Sequence, residues 1–219
     1  MEDLKEDTGE EKAESSVGWL FWSVIVLTVL ILVFGGLVVK SAFFTKEIPR
    51  TAIERDLLMY KEQVKNNPKD AMAHVNLGMT YIDMGQEERA IKEFKEAISL
   101  DQNYAEPHYY LAVTYERKGE INEATNELKK TVKLNPKHEY AHYLMGKIYL
   151  DQKNYEKAIE ALEKCVEVNP VSADAHYSLG LAYEESGKKD LAISEYEEAL
   201  RYYPDYKDAK KALERLTTS

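Results

Sequence analysis

One segment of this chain places two histidines around a glutamate: His138-Glu139-Tyr140-Ala141-His142. On a helix the two imidazoles fall one turn apart and could share a zinc ion, with the glutamate activating a bound water for peptide hydrolysis. A third ligand would have to come from Glu163 or Glu167. Two features weigh against that chemistry. His142 is one of four evenly spaced histidines, His74, His108, His142 and His176, so it belongs to a periodic pattern. His138 follows Asn135-Pro136 and falls at or before the start of its helix, which puts the alignment of the two rings in doubt. The periodic histidines cannot share one metal either. Equivalent positions on adjacent packed helices lie about 8–10 Å apart, against zinc–nitrogen bonds of about 2 Å. They read as side chains packed between helices. Cys165, the only cysteine, aligns with Ala97, Thr131 and Ala199 and reads as a small packing residue. The sequence contains neither a glycine-rich phosphate loop nor a G-x-S-x-G turn. The expectation is a chain that is not an enzyme, with no catalytic residue, metal or cofactor, whose function lies in what it binds.

Composition narrows what that could be. The 219 residues carry 29 Lys and Arg against 39 Asp and Glu, a net charge of −10, which argues against nucleic acid as a partner. The charge is uneven, since residues 1–16 hold two lysines and seven carboxylates and are expected to form a disordered acidic tail. With 16 Tyr but only 10 Gly and 6 Pro, the rest is too aromatic for disorder and too poor in turn formers for an all-β fold. A helical protein is expected.

Residues 17–39, VGWLFWSVIVLTVLILVFGGLVV, form an unbroken run without a charge. As a helix they would extend about 35 Å, enough to cross a hydrocarbon core of about 30 Å. Trp19, Phe21 and Trp22 at one end and Phe43 and Phe44 at the other suit the membrane interfaces. A cleaved signal peptide fits poorly, because the preceding segment is acidic and the apolar run is too long. The reading is a single-pass anchor followed by a short linker, residues 40–50. Lys40, Lys46, Arg50 and Arg55 follow the span and Lys5 and Lys12 precede it, so the positive-inside rule favours a cytoplasmic C-terminal side by four to two. An exported C-terminal domain stays open as the alternative.

The remainder repeats. Pro136, Pro170 and Pro204 are evenly spaced, and aligning the chain on them stacks Tyr81, Tyr115, Tyr149 and Tyr183 in one column. Ala90, Ala124, Ala158 and Ala192 fill another, and Phe94, Leu128, Leu162 and Tyr196 a third. Leu77, Leu111, Met145 and Leu179 are each followed by a small residue: Gly78, Ala112, Gly146, Gly180. The pattern resembles the tetratricopeptide repeat, whose signature W-x2-L-G-x2-Y…A-x3-F…P recurs with a period of about 34 residues. Histidine stands in place of the signature tryptophan, and Gln102 replaces the closing proline of the first repeat. Four repeats follow, 71–104, 105–138, 139–172 and 173–206. Each reads as two amphipathic helices broken near Gly85, Gly119 or Gly187, with Lys153-Asn154 standing in for the glycine of the third. Residues 51–67 read as a capping half-repeat opened by a Thr51/Glu54 capping box, and 207–219 as a C-terminal capping helix. The fold expected is an all-α, right-handed α-solenoid behind one transmembrane helix.

The resemblance implies protein or peptide binding in a concave groove lined by the first helix of each repeat. Carried over residue by residue, the first repeat supplies Met72, Val75, Met79, Ile82 and Asp83. The second supplies Glu106, Tyr109, Val113, Glu116 and Arg117, and the third Tyr140, Tyr143, Lys147, Leu150 and Asp151. The fourth supplies Asp174, Tyr177, Leu181, Glu184 and Glu185. Tyr109, Tyr143 and Tyr177 form a ladder suited either to binding or to packing between repeats. Val75 and Met79 stand where family members that clamp chaperone tails need Lys and Asn, so those tails are not expected ligands. An apolar or aromatic segment with basic residues toward the acidic end is. The functional expectation is a membrane-tethered adaptor or scaffold, with a client-holding receptor in import or envelope assembly as the alternative, and no small-molecule substrate.

Overall fold

The computed structural model describes residues 51–218, which lie in one compact unit, Thr51–Ser219. The acidic tail, the proposed membrane span at 17–39 and the linker at 40–50 lie outside the described residues. Among the described residues there are ten helices and no strand, and no helix is long and apolar enough to cross a membrane. In chain order they are α1 Ala52–Asn66, α2 Ala71–Asp83, α3 Glu87–Leu100, α4 Ala105–Arg117, α5 Ile121–Leu134, α6 Glu139–Asp151, α7 Tyr155–Val168, α8 Ala173–Glu185, α9 Lys189–Tyr202 and α10 Lys207–Thr218. The pairs α2/α3, α4/α5, α6/α7 and α8/α9 are the four repeats. Each packs on the next, with α1 and α10 on the end faces.

Local chemistry sets the helix ends. Thr51 accepts from the Glu54 amide and Glu54 accepts in return from the Thr51 amide, each at 3.1 Å, completing the capping box. Within each repeat the turn closes through one residue in the left-handed region, at Gly85, Gly119 and Gly187 (φ 66°, 77° and 80°). The amide after it donates to the carbonyl of the tyrosine in the last turn of the first helix: Gln86 to Tyr81, Glu120 to Tyr115, Asn154 to Tyr149 and Lys188 to Tyr183, all at 2.8 Å. In the third repeat Lys153 takes the left-handed position, at φ 57°, and Asn154 does not. Asn154 instead caps α7 by accepting from the Lys157 amide. The polar side chain serves better as a cap, and the lysine absorbs the backbone cost of about 1 kcal/mol.

Within each pair a small residue meets a large one. A Cβ on Gly78 would sit 2.5 Å from the Phe94 ring, and one on Gly180 2.6 Å from the Tyr196 ring. Gly146 faces Leu162 in the same way. Phe94, Leu128, Leu162 and Tyr196 are wholly buried, as are Ala90, Ala124, Ala158 and Ala192. At the ends, Leu57, Tyr60 and Val64 of α1 pack on the first core, and Ala212, Leu213 and Leu216 of α10 on the last.

The histidine column carries more than packing. His74, His108 and His176 are buried, and each Nδ1 meets a carboxylate on the partner helix: Glu93 at 2.7 Å, Glu127 at 2.6 Å and Glu195 at 2.7 Å. The Nε2 of His74 and of His176 faces a backbone carbonyl, that of Pro68 and of Pro170 respectively. In His176 the two acceptors favour the charged ring, with both nitrogens donating. Glu195, outweighing burial, raises the His176 pKa above its ordinary 6.5. Because the folded value is raised, this contribution to stability is complete below pH 6.5 and lost as pH rises through the folded value. The urea midpoint is therefore expected to fall over that window, and Glu195→Gln to flatten the fall. An unchanged slope in the variant would show that the pair contributes nothing.

Candidate functional site

The structure divides the expected groove. In the first repeat Val75 and Ile82 are buried, 3% and 9% exposed, and belong to the core against which α1 packs. They are corrected from groove to core, because the capping half-repeat and neighbouring helices cover them. Met79 packs partly on the same core, while Met72 is 60% exposed. In the second repeat Val113 is half-buried and Arg117 exposed. The Glu106 carboxylate lies 3.5 Å from His138 Nε2.

The tyrosine ladder is not uniform. Tyr109 is roofed by His138 (ring centroids 4.7 Å apart) and Tyr140 (6.4 Å) and touches Tyr110 (5.3 Å). Burial, with Tyr110 and Tyr140 adding to it, pushes its hydroxyl up to about 12. Tyr177 is roofed by Tyr206, at 4.9 Å, and backed by Tyr196. The roofing residue stands at the same step along the chain in both cases, His138 after Tyr109 and Tyr206 after Tyr177. After Tyr143 that position is Ser172, whose hydroxyl caps α8 by accepting from the Ala175 amide. A small capping residue cannot cover a ring, so Tyr143, half-buried against the last core, keeps one side on open space.

A cleft of about 460 Å³ opens there, between α6 and α8. Tyr143, Leu150, Tyr177 and Leu181 line it, Tyr206 closes one end, and Lys147, Asp151, Lys153 and Glu185 stand on its rim. The Lys147 ammonium lies 5.9 Å from the centroid of the Tyr143 ring. Tyr155 and Lys153 also line the cleft and were not expected there, since both sit at the turn into the second helix of their repeat. Tyr206, which is not among the expected groove residues, joins them. The arrangement presents rings and leucines flanked by charges of both signs.

The acidic end differs from expectation. Asp174 accepts from the Tyr206 hydroxyl at 2.8 Å, and Glu185 from the Tyr155 hydroxyl at 3.3 Å. Glu184 accepts from the Tyr196 hydroxyl at 2.7 Å and from the Arg215 guanidinium. These carboxylates fasten α7, α9 and α10 to α8. They are not a free acidic wall, and Glu184 is spent on structure.

The H-E-x-x-H segment is dismantled by its own fold. His138 caps α6, its Nδ1 accepting from the Ala141 amide at 3.2 Å. That bond leaves Nε2 as the donor nitrogen, and it turns to Glu106. His142 Nε2 is 2.9 Å from the Pro136 carbonyl, and Glu139 accepts from the Asn169 side-chain amide at 2.7 Å. Among the described residues no group of three His, Cys, Asp or Glu is placed to hold a metal ion. Cys165 is buried, and burial pushes its thiol up to about 12, the behaviour of a packing residue.

Four stacked helix pairs between two single capping helices, with an open cleft on the first-helix side, define a helical-repeat interaction module. The family model described as tetratricopeptide repeat matches residues 143–207, and that described as anaphase-promoting complex, cyclosome, subunit 3 matches 83–165. The crystal structure of MamA is similar at 30% identity over 75% of this chain and 99% of that chain, with a TM-score of 0.62. The chain belongs to the tetratricopeptide repeat family. MamA 41-end from Desulfovibrio magneticus RS-1 is 28% identical over 68% of this chain and 84% of that chain, with a TM-score of 0.62. YrrB, described as a TPR protein with an unusual peptide-binding site, shares the fold at 21% identity and a TM-score of 0.66, over 73% of this chain and 82% of that one. No curated protein matches the chain.

Proposed function

We propose that this protein is a membrane-tethered adaptor whose cleft between α6 and α8 holds an extended segment of a partner protein. The observation that carries the reading is the unroofed Tyr143. Its ring, with Tyr177, Leu150 and Leu181, offers an apolar floor to the cleft. Aromatic side chains supply large contact area at low entropic cost and dominate many interfaces. Lys147 and Lys153 stand on the rim with Asp151 and Glu185, which favours a segment with an apolar anchor and polar flanks over a purely basic one. The uncharged run at 17–39 supports tethering. The lysine and arginine count favours a cytoplasmic cleft.

Two fractionations test the tether. The full chain is expected to stay in the membrane pellet after alkaline carbonate washing, and a chain lacking residues 1–50 to leave it. Release of the full chain by carbonate would remove the tether from the account and leave the cleft untouched. Protease treatment of sealed right-side-out vesicles then reads the side, with protection of a C-terminal tag expected.

A further inference from the structure

The third repeat breaks the buried histidine–glutamate pattern. Glu93, Glu127 and Glu195 follow their histidines at one fixed step along the chain, but the residue at that step after His142 is Ala161. His142 is only 9% exposed, and its Nε2 is bonded to the Pro136 carbonyl. Among the described residues its Nδ1 has no hydrogen-bond partner. The space that a glutamate would fill is a pocket of about 300 Å³ lined by His142, Ala161, Met145 and Tyr149. Lys129, Lys157 and Lys164 stand around it, with Glu160 as the one carboxylate in the lining.

The second repeat shows how a carboxylate sits in this place. Glu127 accepts from His108 Nδ1 at 2.6 Å with one oxygen and from Lys130 at 2.8 Å with the other. Lys164 is the counterpart of Lys130 one repeat on, and His142 that of His108. Lacking the internal glutamate, Lys164 turns outward to the exposed Glu167, whose negative charge also reaches His142. Lys157 lies 5.7 Å from the Tyr149 ring centroid, and neither it nor Lys129 has a carboxylate partner among the described residues. Around the fourth repeat, where Glu195 is present, the counterparts of Lys129, Lys157 and Lys164 are Glu163, Leu191 and Glu198; around the first they are Lys61, Arg89 and Glu96, and around the second Lys95, Glu123 and Lys130. Of the four repeats, only the one without the internal carboxylate has a basic residue at all three positions.

We infer that this pocket, on the second-helix side and separate from the cleft, binds an external carboxylate that takes the place of the absent glutamate between His142 and Lys164. With Nε2 on the Pro136 carbonyl, Nδ1 donates to a carboxylate only when the ring takes up a proton as the ligand binds. Lys164 supplies a charged donor, whose hydrogen bond is about twice as strong as a neutral one, and the volume is that of a small-ligand site. The carboxylate is supplied either by a free small dicarboxylate or by a glutamate side chain of a polypeptide.

The test follows the imidazoles of the full chain, labelled with nitrogen-15 histidine and held in a nonionic detergent. Glutarate stands for the free source and N-acetylglutamate amide for the side chain. Saturable movement of the His142 signal alone is expected with at least one of them. Response to glutarate only assigns the free source, and response to the capped amino acid assigns the polypeptide. Lys129→Gln with Lys157→Gln is expected to weaken binding by about tenfold. Ala161→Glu, which restores the residue of the other three repeats, is expected to abolish it. No movement of His142 with either probe would overturn the assignment, as would undiminished binding by the Ala161→Glu variant. Tighter binding of inorganic phosphate than of both carboxylates would overturn the ligand class.

Discussion

Replacing Tyr109 with alanine is expected to cost the solenoid stability, and replacing Tyr143 to cost it its partner. The two residues occupy the same position in successive repeats, so a binding ladder read from spacing alone predicts one outcome for both. Tyr109 lies under His138 and Tyr140 and against Tyr110. Its removal leaves a cavity at a junction between repeats, expected to cost about 2–3 kcal/mol, or roughly 4–10 °C in melting temperature. Tyr143 has Ser172 where Tyr109 has His138, and its ring borders the open cleft. Tyr143→Ala is expected to cost about 1 kcal/mol in stability and to lower co-purifying partner by at least about tenfold, as loss of an aromatic hot spot does. Thermal melting and quantitative recovery of the partner with the full chain read the two effects separately. Equal loss of partner in both variants, with unchanged melting in both, would restore the uniform ladder.

The second large effect concerns the small residues that let paired helices approach. Gly78→Ala and Gly180→Ala place a methyl against rings that are wholly buried, and the Tyr196 ring is further pinned by its hydroxyl bond to Glu184. Overpacking of this kind costs about 1–3 kcal/mol or more when nothing can give. The gain of about 1 kcal/mol from replacing a helical glycine offsets part of it. Both variants are expected to be less stable by about 1–2 kcal/mol. Gly146→Ala is expected to differ. Its neighbour is Leu162, and the second repeat already holds the matching pair, Ala112 with Leu128, both wholly buried. A leucine can change rotamer where a ring cannot, so the variant is expected within about 0.5 kcal/mol of the parent or above it. Chemical denaturation of the three variants checks the order. Equal destabilisation of all three would mean that helix spacing, and not the facing side chain, sets the limit.

The solenoid was legible in the sequence because its period is also its packing rule. Once the repeat columns are aligned, the small residues facing Phe94 and Tyr196 and the glycine turns follow. The site was less legible, for reasons particular residues make plain. Val75 and Ile82 were assigned by position to a groove, although the α1 helix read at 51–67 had to cover some of that surface. The buried glutamates were visible as a column at Glu93, Glu127 and Glu195, but their pairing depends on how two helices face each other, which periodicity alone does not give. The cleft was foreshadowed only by comparing His138, Ser172 and Tyr206, the residues at one step after each ladder tyrosine, a relation between repeats and not within one. Asp174 looks like a free acid because its partner Tyr206 lies beyond the helices of its repeat, and Glu184 because Arg215 lies on the capping helix and Tyr196 reaches it only once the two helices of the repeat are packed.

The central claim is that the cleft beside Tyr143 is where a partner protein sits. The most direct measurement is site-specific photocrosslinking in cells with benzoylphenylalanine in place of Lys147 on the cleft rim, compared with the same substitution at exposed Lys95 on α3. A discrete adduct of one mass from position 147, absent at 95 and lost on adding Tyr177→Ala, is the predicted result. Equal adducts from both positions, or an adduct from 95 alone, would contradict the account and move the interaction to another face.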